Sequence, residues 1–158
     1  MDQPVVTYAG FWKRFVAYII DDLVLSAGAT LVVLIIGGIF GLSVLSALSG
    51  DADSTVAIVA AAASAFVVAI VVLIVAGWLY FALMESSANQ GTLGKMALGI
   101  KVTDLQGNRV SFGKATGRYF GKIVSGMILY IGFIMAGLTE KKQALHDIMA
   151  GCLVVNKS

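Results

Sequence analysis

No lysine or arginine occurs between Phe15 and Gly94. That gap holds two runs with no charged residue at all, Leu23–Gly50 and Ser54–Met84. As helices each would be about 40 Å or more in length, beyond the roughly 30 Å hydrocarbon core of a bilayer. Lipid offers the backbone no hydrogen-bonding partner, so such runs cross it as helices. The 158-residue chain is 59% hydrophobic and 13% charged, whereas soluble domains carry about a quarter charged residues. These runs predict a small integral membrane protein of one domain, 1–158, with spans over about 15–40 and 56–84. Asp21 and Asp22 interrupt the apolar start, so the first span is expected to act as its own signal anchor rather than as a cleaved peptide. The lone Cys152 forms no internal disulfide.

The positive charges set an orientation. Lys13 and Arg14 precede the first span, and Lys95, Lys101, Arg109, Lys114, Arg118 and Lys122 follow the second. The loop between, Leu42–Thr55, carries only Asp51 and Asp53. The positive-inside bias predicts a cytoplasmic N-terminus in the cell (inner) membrane, with 86–118 on the same side. Phe11, Trp12, Phe15 and Tyr18 beside Lys13 and Arg14 have the composition of a headgroup boundary. Gly37 and Gly41 form a small-xxx-small spacing that permits close helix approach or a break. Ala57, Ala61, Ala65 and Ala69 form a small-residue seam on the second span.

The first span also carries ionisable residues, each costing about 2.5–3.5 kcal/mol at a bilayer centre and less near its edge. Arg14 and Asp21 are seven residues apart, which on a helix is 20° short of two full turns. They share a face, and Asp22 points about 80° away from Arg14. Groups of this kind persist when protein or water satisfies them. The remaining carboxylates in reach of the same boundary are Glu85 and Asp147, with Lys95 nearby in sequence.

The stretch 86–112 looks soluble. Leu98–Thr103 and Arg109–Phe112 alternate apolar and polar residues around the turn composition Asp104–Asn108, which predicts a cytoplasmic β-hairpin. Cys152–Val155 is a candidate third strand. The third apolar run, Ile123–Thr139, has 17 residues, about 25 Å as a helix and short for a span. Extended back to Tyr119 it would give a segment over 119–138, and the lysines on both flanks favour re-entry over crossing. The expected class is mostly α and integral to the membrane: two full spans, a third short or re-entrant apolar helix, and a small β-hairpin element. Lys114, Arg118 and Lys122 repeat every four residues just before the third run, as do Gly113, Gly117 and Gly121. An interfacial helix whose basic stripe meets anionic lipid headgroups is expected there.

Several chemistries are excluded or weakened. Gly91-Thr92-Leu93-Gly94-Lys95-Met96 is not a phosphate loop: Asn89 stands where its first glycine belongs, and Met96 where Ser or Thr would bind magnesium. His146 is the only histidine, so no metal site or cofactor is expected. No serine or cysteine has an evident base partner, so the chain is not expected to be an enzyme. The basic residues have no soluble face suited to nucleic acid.

Three separated motifs carry a resemblance: Tyr8–Arg14 through Asp21; Gly91-Thr92-Leu93-Gly94-Lys95 with Gly99–Val102; and Gln143–Asp147 with Ala150-Gly151. Together they resemble the RDD family of small bacterial membrane proteins. The resemblance maps the family's one Arg and two Asp onto Arg14, Asp21 and Asp147. It implies a polytopic membrane protein, with some relatives assigned to cation/proton exchange. The residues and the resemblance meet in one expectation: Arg14 bridges Asp21 and Asp147, with Asp22, Glu85, His146 or Lys95 close by. An acid held between burial and a cation is poised to trade a proton for a monovalent cation. A pathway of so few spans would need a homo-oligomer. The competing expectation is a non-transporting scaffold that binds anionic lipid or a partner protein.

Overall fold

A computed structural model describes residues 7–48, 54–127 and 131–157. The elements are α1 (Phe11–Leu48), α2 (Ser54–Ser86), α3 (Leu93–Ala97), β1 (Ile100–Asp104), α4 (Phe112–Met127), α5 (Ile131–Leu138), α6 (Leu145–Ala150) and β2 (Cys152–Asn156). Two helices are long and apolar enough to cross a membrane, over Phe11–Leu45 and Ile58–Ser86. α1 starts before Phe15 and continues past Phe40 to Leu48, into the expected loop. Nothing between Phe40 and Leu48 stops a helix: the stretch has no proline and no charge. Asp51 and Asp53 lie outside the described residues.

The chain divides into two compact units, 23–77 and the combination of 1–22 with 78–158. In the first, α1 is half-buried at Leu25, Ala29, Val32, Ile36, Phe40 and Val44, and α2 at Ile58, Ala61, Ala65, Ala69 and Leu73. These recur every three to four residues, the period of one helix face. The alanine seam is therefore used at Ala61, Ala65 and Ala69; the side chain of Ala57 is outside the described residues. Gly37 and Gly41 neither break α1 nor bring another backbone close. A Cβ at either would meet nothing within 4 Å.

The second unit carries the charges. Its small sheet pairs β1 and β2 antiparallel, with Val102 opposite Val154 and Asp104 opposite Cys152. Tyr8 bridges Val155 from the other side of β2. Ala9 N donates to Val154 O and Asn156 N to Thr7 O, both at 2.9 Å. Ala9, Ala17, Ala82, Ile100, Val102, Val110, Ala115, Cys152 and Val154 form the core.

The β element is present, but its second strand is Cys152–Asn156 rather than Arg109–Phe112. The turn itself forms as expected: Asp104 N donates to Asn108 O at 2.9 Å, and the Asp104 carboxylate accepts from Gln106 N and Asn108 N. Beyond it, Ser111 acts as a helix cap. Its hydroxyl accepts from Lys114 N at 3.3 Å and its carbonyl from Ala115 N at 3.0 Å. Capping starts α4 where the alternation had pointed to a strand.

α4 and the helix at 132–138 meet at 98°; residues 128–130 between them lie outside the described residues. β1 precedes this bent pair and β2 follows it, and the two strands are hydrogen-bonded. The segments that flank the bent pair are thus joined in one sheet, and the N-terminal segment joins them through its bonds to β2.

Candidate functional site

Charged side chains from five helices converge in the second unit. Asp147 caps its own helix, accepting from Ala144 N at 3.1 Å. The same carboxylate pairs with Arg14 of α1 and with Arg118 of α4, Nε to Oδ1 at 2.7 Å. Arg118 forks to a second acid, its Nη1 meeting Glu85 Oε2 at 2.8 Å. Glu85 also pairs with Lys95 of α3 and, at 3.5 Å, with Lys122. Arg118, Glu85 and Asp147 are almost entirely buried. The expected Arg14–Asp147 pair is formed, with Glu85 and Lys95 beside it.

Asp21 is not bridged by Arg14, although the two share a helix face. It is buried and takes neutral donors instead: Tyr80 OH at 2.8 Å, Thr92 Oγ1 at 2.5 Å and Gly94 N at 2.7 Å. Tyr80 OH in turn accepts from Leu93 N at 3.1 Å. Two of these donors belong to the Gly91–Lys95 motif, and its last residue, Lys95, reaches Glu85. The motif is thus a clasp: it ties α3 to the acid of α1 and to the acid of α2. Gly94 has no room for a side chain, since a Cβ there would stand 2.0 Å from Ala17 O.

Other expectations change. Asp22 is exposed and stands apart from the cluster, as its 80° offset from Arg14 dictates. Arg118 is not a headgroup ligand, being buried between two carboxylates. Lys122 also turns inward, its Nζ 3.7 Å from the centre of the Phe81 ring. Of the basic stripe only Lys114 stays exposed. A four-residue repeat advances 40° per step on a helix, so Lys114 and Lys122 are 80° apart and do not share one surface. Tyr80 went unrecognised in the sequence because an interface aromatic and a buried hydroxyl donor look alike there.

The imidazole of His146 is buried against Phe133. Burial, aided by Arg118 and Lys122 against the pull of Asp147, lowers its pKa to about 3, so the ring is neutral at physiological pH. The structure places Ser125 Oγ 3.4 Å from His146 Nδ1, a neighbour the sequence did not reveal. That hydroxyl also donates to Gly121 O at 2.9 Å. Burial opposes ionisation of Asp147, but Arg118 and Arg14 outweigh it and hold the carboxyl well below its ordinary range. For Lys95 the balance goes the other way. Burial lowers it, although Glu85 pulls it up.

A cavity of about 370 Å³ lies against this frame, within the size range of small-molecule sites. Its wall is mostly apolar, with Phe11, Phe15, Phe81 and Phe133 among its residues; Arg14, Lys95, Arg118, Lys122, Asp21 and His146 line it as well.

These features define a polytopic helical membrane protein with a buried ion-pair frame. The chain belongs to the RDD family, whose profile matches residues 8–151. It is similar to the uncharacterized protein YxaI of Bacillus subtilis (strain 168), 44% identical over 99% of this chain and 100% of that one. It is also similar to the uncharacterized membrane protein YteJ of the same organism, 33% identical over 95% of this chain and 82% of that one. No solved structure matches.

The two neighbouring aspartates should respond differently. Asp21→Asn replaces one acceptor oxygen by an NH₂ facing donors, so a loss of about 1–3 kcal/mol is expected. Asp22→Asn should stay within about 0.5 kcal/mol, as exposed changes do. Thermal unfolding of the purified protein in detergent compares them. Equal melting temperatures would remove the distinction drawn between the two acids.

Proposed function

We propose that this protein is a non-catalytic, non-transporting scaffold of the cell membrane, with its N-terminus in the cytoplasm. The observation that supports this reading is the saturation of the frame's carboxylates. Asp147 is shared by two arginines, and Glu85 by an arginine and two lysines. An exchanger needs an acid that can release its partner and accept a proton or a cation. Here either release would leave several buried cations uncompensated, at a cost of several kcal/mol. The frame serves to lock α1, α2, α3, α4 and α6 into one unit.

A second reading, cation/proton exchange by a homo-oligomer, keeps one observation in its favour. Asp21 is buried on a membrane helix, lines the cavity and takes only neutral donors among the hydrogen bonds described. Proteoliposomes carrying a proton-sensitive dye and a sodium or potassium gradient decide between the two. The scaffold reading expects no cation-driven proton movement above empty liposomes. Flux that is present in the native protein and lost in Asp21→Asn would establish exchange instead.

A further inference from the structure

We infer that the cavity beside the ion-pair frame binds a phosphate-headed amphiphile, its head on Arg14 and Lys122 and its chain along the phenylalanine wall. The argument starts from charge. Arg14, Lys95, Arg118 and Lys122 all line the cavity, against Glu85 and Asp147 in the frame and Asp21 at its edge. Four basic side chains face three carboxylates, Asp21 included, so one basic group has no acid of its own, and burying it as a cation is costly without an anion.

The second observation is an idle donor. Arg14 uses Nη1 on Asp147 and Nε on Ala9 O, the latter at 2.9 Å. Its Nη2 is buried and has no hydrogen-bond partner among the described residues. A buried N–H without an acceptor is costly, so a partner is expected there. Lys122 is the most loosely held of the frame's cations. Its ion-pair contact is at 3.5 Å, to an oxygen that Lys95 also holds. Both side chains have donors to spare for phosphate oxygens.

The remaining walls choose between an amphiphile and a free anion. Phe11, Phe15, Phe133 and Ile134 are apolar, and Phe15 and Ile134 are exposed at 44% and 48%. Phe11 and Phe15 stand at the start of α1, where the aromatic composition marks a headgroup boundary. Inorganic phosphate has no use for such a wall, whereas an acyl chain gains from each CH₂ that it buries there. The inference gives the scaffold reading a ligand and rests on its fixed frame. Because flux is measured separately, failure of lipid binding and failure of that reading are distinguishable.

The full chain, purified in an uncharged detergent, is titrated with dioleoyl phosphatidylglycerol, dioleoyl phosphatidylcholine and inorganic phosphate. Bound lipid is read by native mass spectrometry and by the shift in melting temperature. Phosphatidylglycerol is expected to be retained and to raise the melting temperature, and the other two are not. Lys122→Gln should weaken it about tenfold, the loss usual for one charge-assisted contact. Ile134→Trp, at the mouth and outside the frame, should also weaken it while the lipid-free protein still melts cooperatively. Equal retention of phosphatidylcholine would overturn the inference. So would equal stabilisation by inorganic phosphate, or undiminished binding in both variants.

Discussion

Asp147→Ala is expected to leave the charged unit unfolded or barely stable. The substitution removes the acceptor shared by Arg14 and Arg118 and strands two guanidinium groups in the interior. Breaking a buried pair from one side costs about 3–5 kcal/mol, a large part of the roughly 5–15 kcal/mol that holds a domain together. The Ala144 N–H loses its acceptor as well. In detergent, a fall in melting temperature of about 10 °C or more is expected, at a few degrees per kcal/mol for a chain of this size. Asp147→Asn keeps the shape without the charge and should fall between this variant and the native protein. Acid should act in the same direction. The folded carboxyl lies below its ordinary value of 3.8, so its stabilisation is complete above that pH and is lost progressively below it. An Asp147→Ala protein that melts with the native one would mean that the frame holds nothing together.

Gly94→Ala is the second large effect. A methyl group there would lie 2.0 Å from Ala17 O, 2.9 Å from Ala17 C and 3.0 Å from Asp21 Cγ. The first two are backbone atoms inside α1, so α3 must move away rather than a side chain turn aside. That movement pulls Gly94 N from Asp21 and carries Thr92 and Lys95 with it. Overpacking alone costs about 1–3 kcal/mol, and the lost bonds to buried carboxylates add to it. Gly37→Ala is the control. A Cβ there meets nothing within 4 Å, and alanine favours a helix by about 1 kcal/mol over glycine. Protease protection of the stretch 86–112 should collapse in Gly94→Ala and be unchanged in Gly37→Ala. If the two variants are cut alike, α3 is not held against α1 as described.

The differences from the expected arrangement share one origin. Arg14 and Asp21 lie on one helix face, and pairing them is the simplest use of that spacing. Yet they are about 10 Å apart along the axis, and each has a nearer partner contributed by another part of the chain. Arg118 and Lys122 have the composition of a lipid-facing stripe, and only the approach of Glu85 and Asp147 turns them inward. Arg109–Phe112 alternates like a strand, but Ser111 caps a helix while β1 pairs with residues some fifty positions later.

What the chain settles by itself is whatever depends on local composition. Runs without charge become spanning helices because lipid offers the backbone no other partner. The turn at Asp104–Asn108 forms because its side chains bond their own backbone. Which acid meets which base was decided only by the tertiary structure. Coulomb attraction and hydrogen bonding act over a few ångströms in space, and the residues concerned lie up to 133 positions apart in sequence.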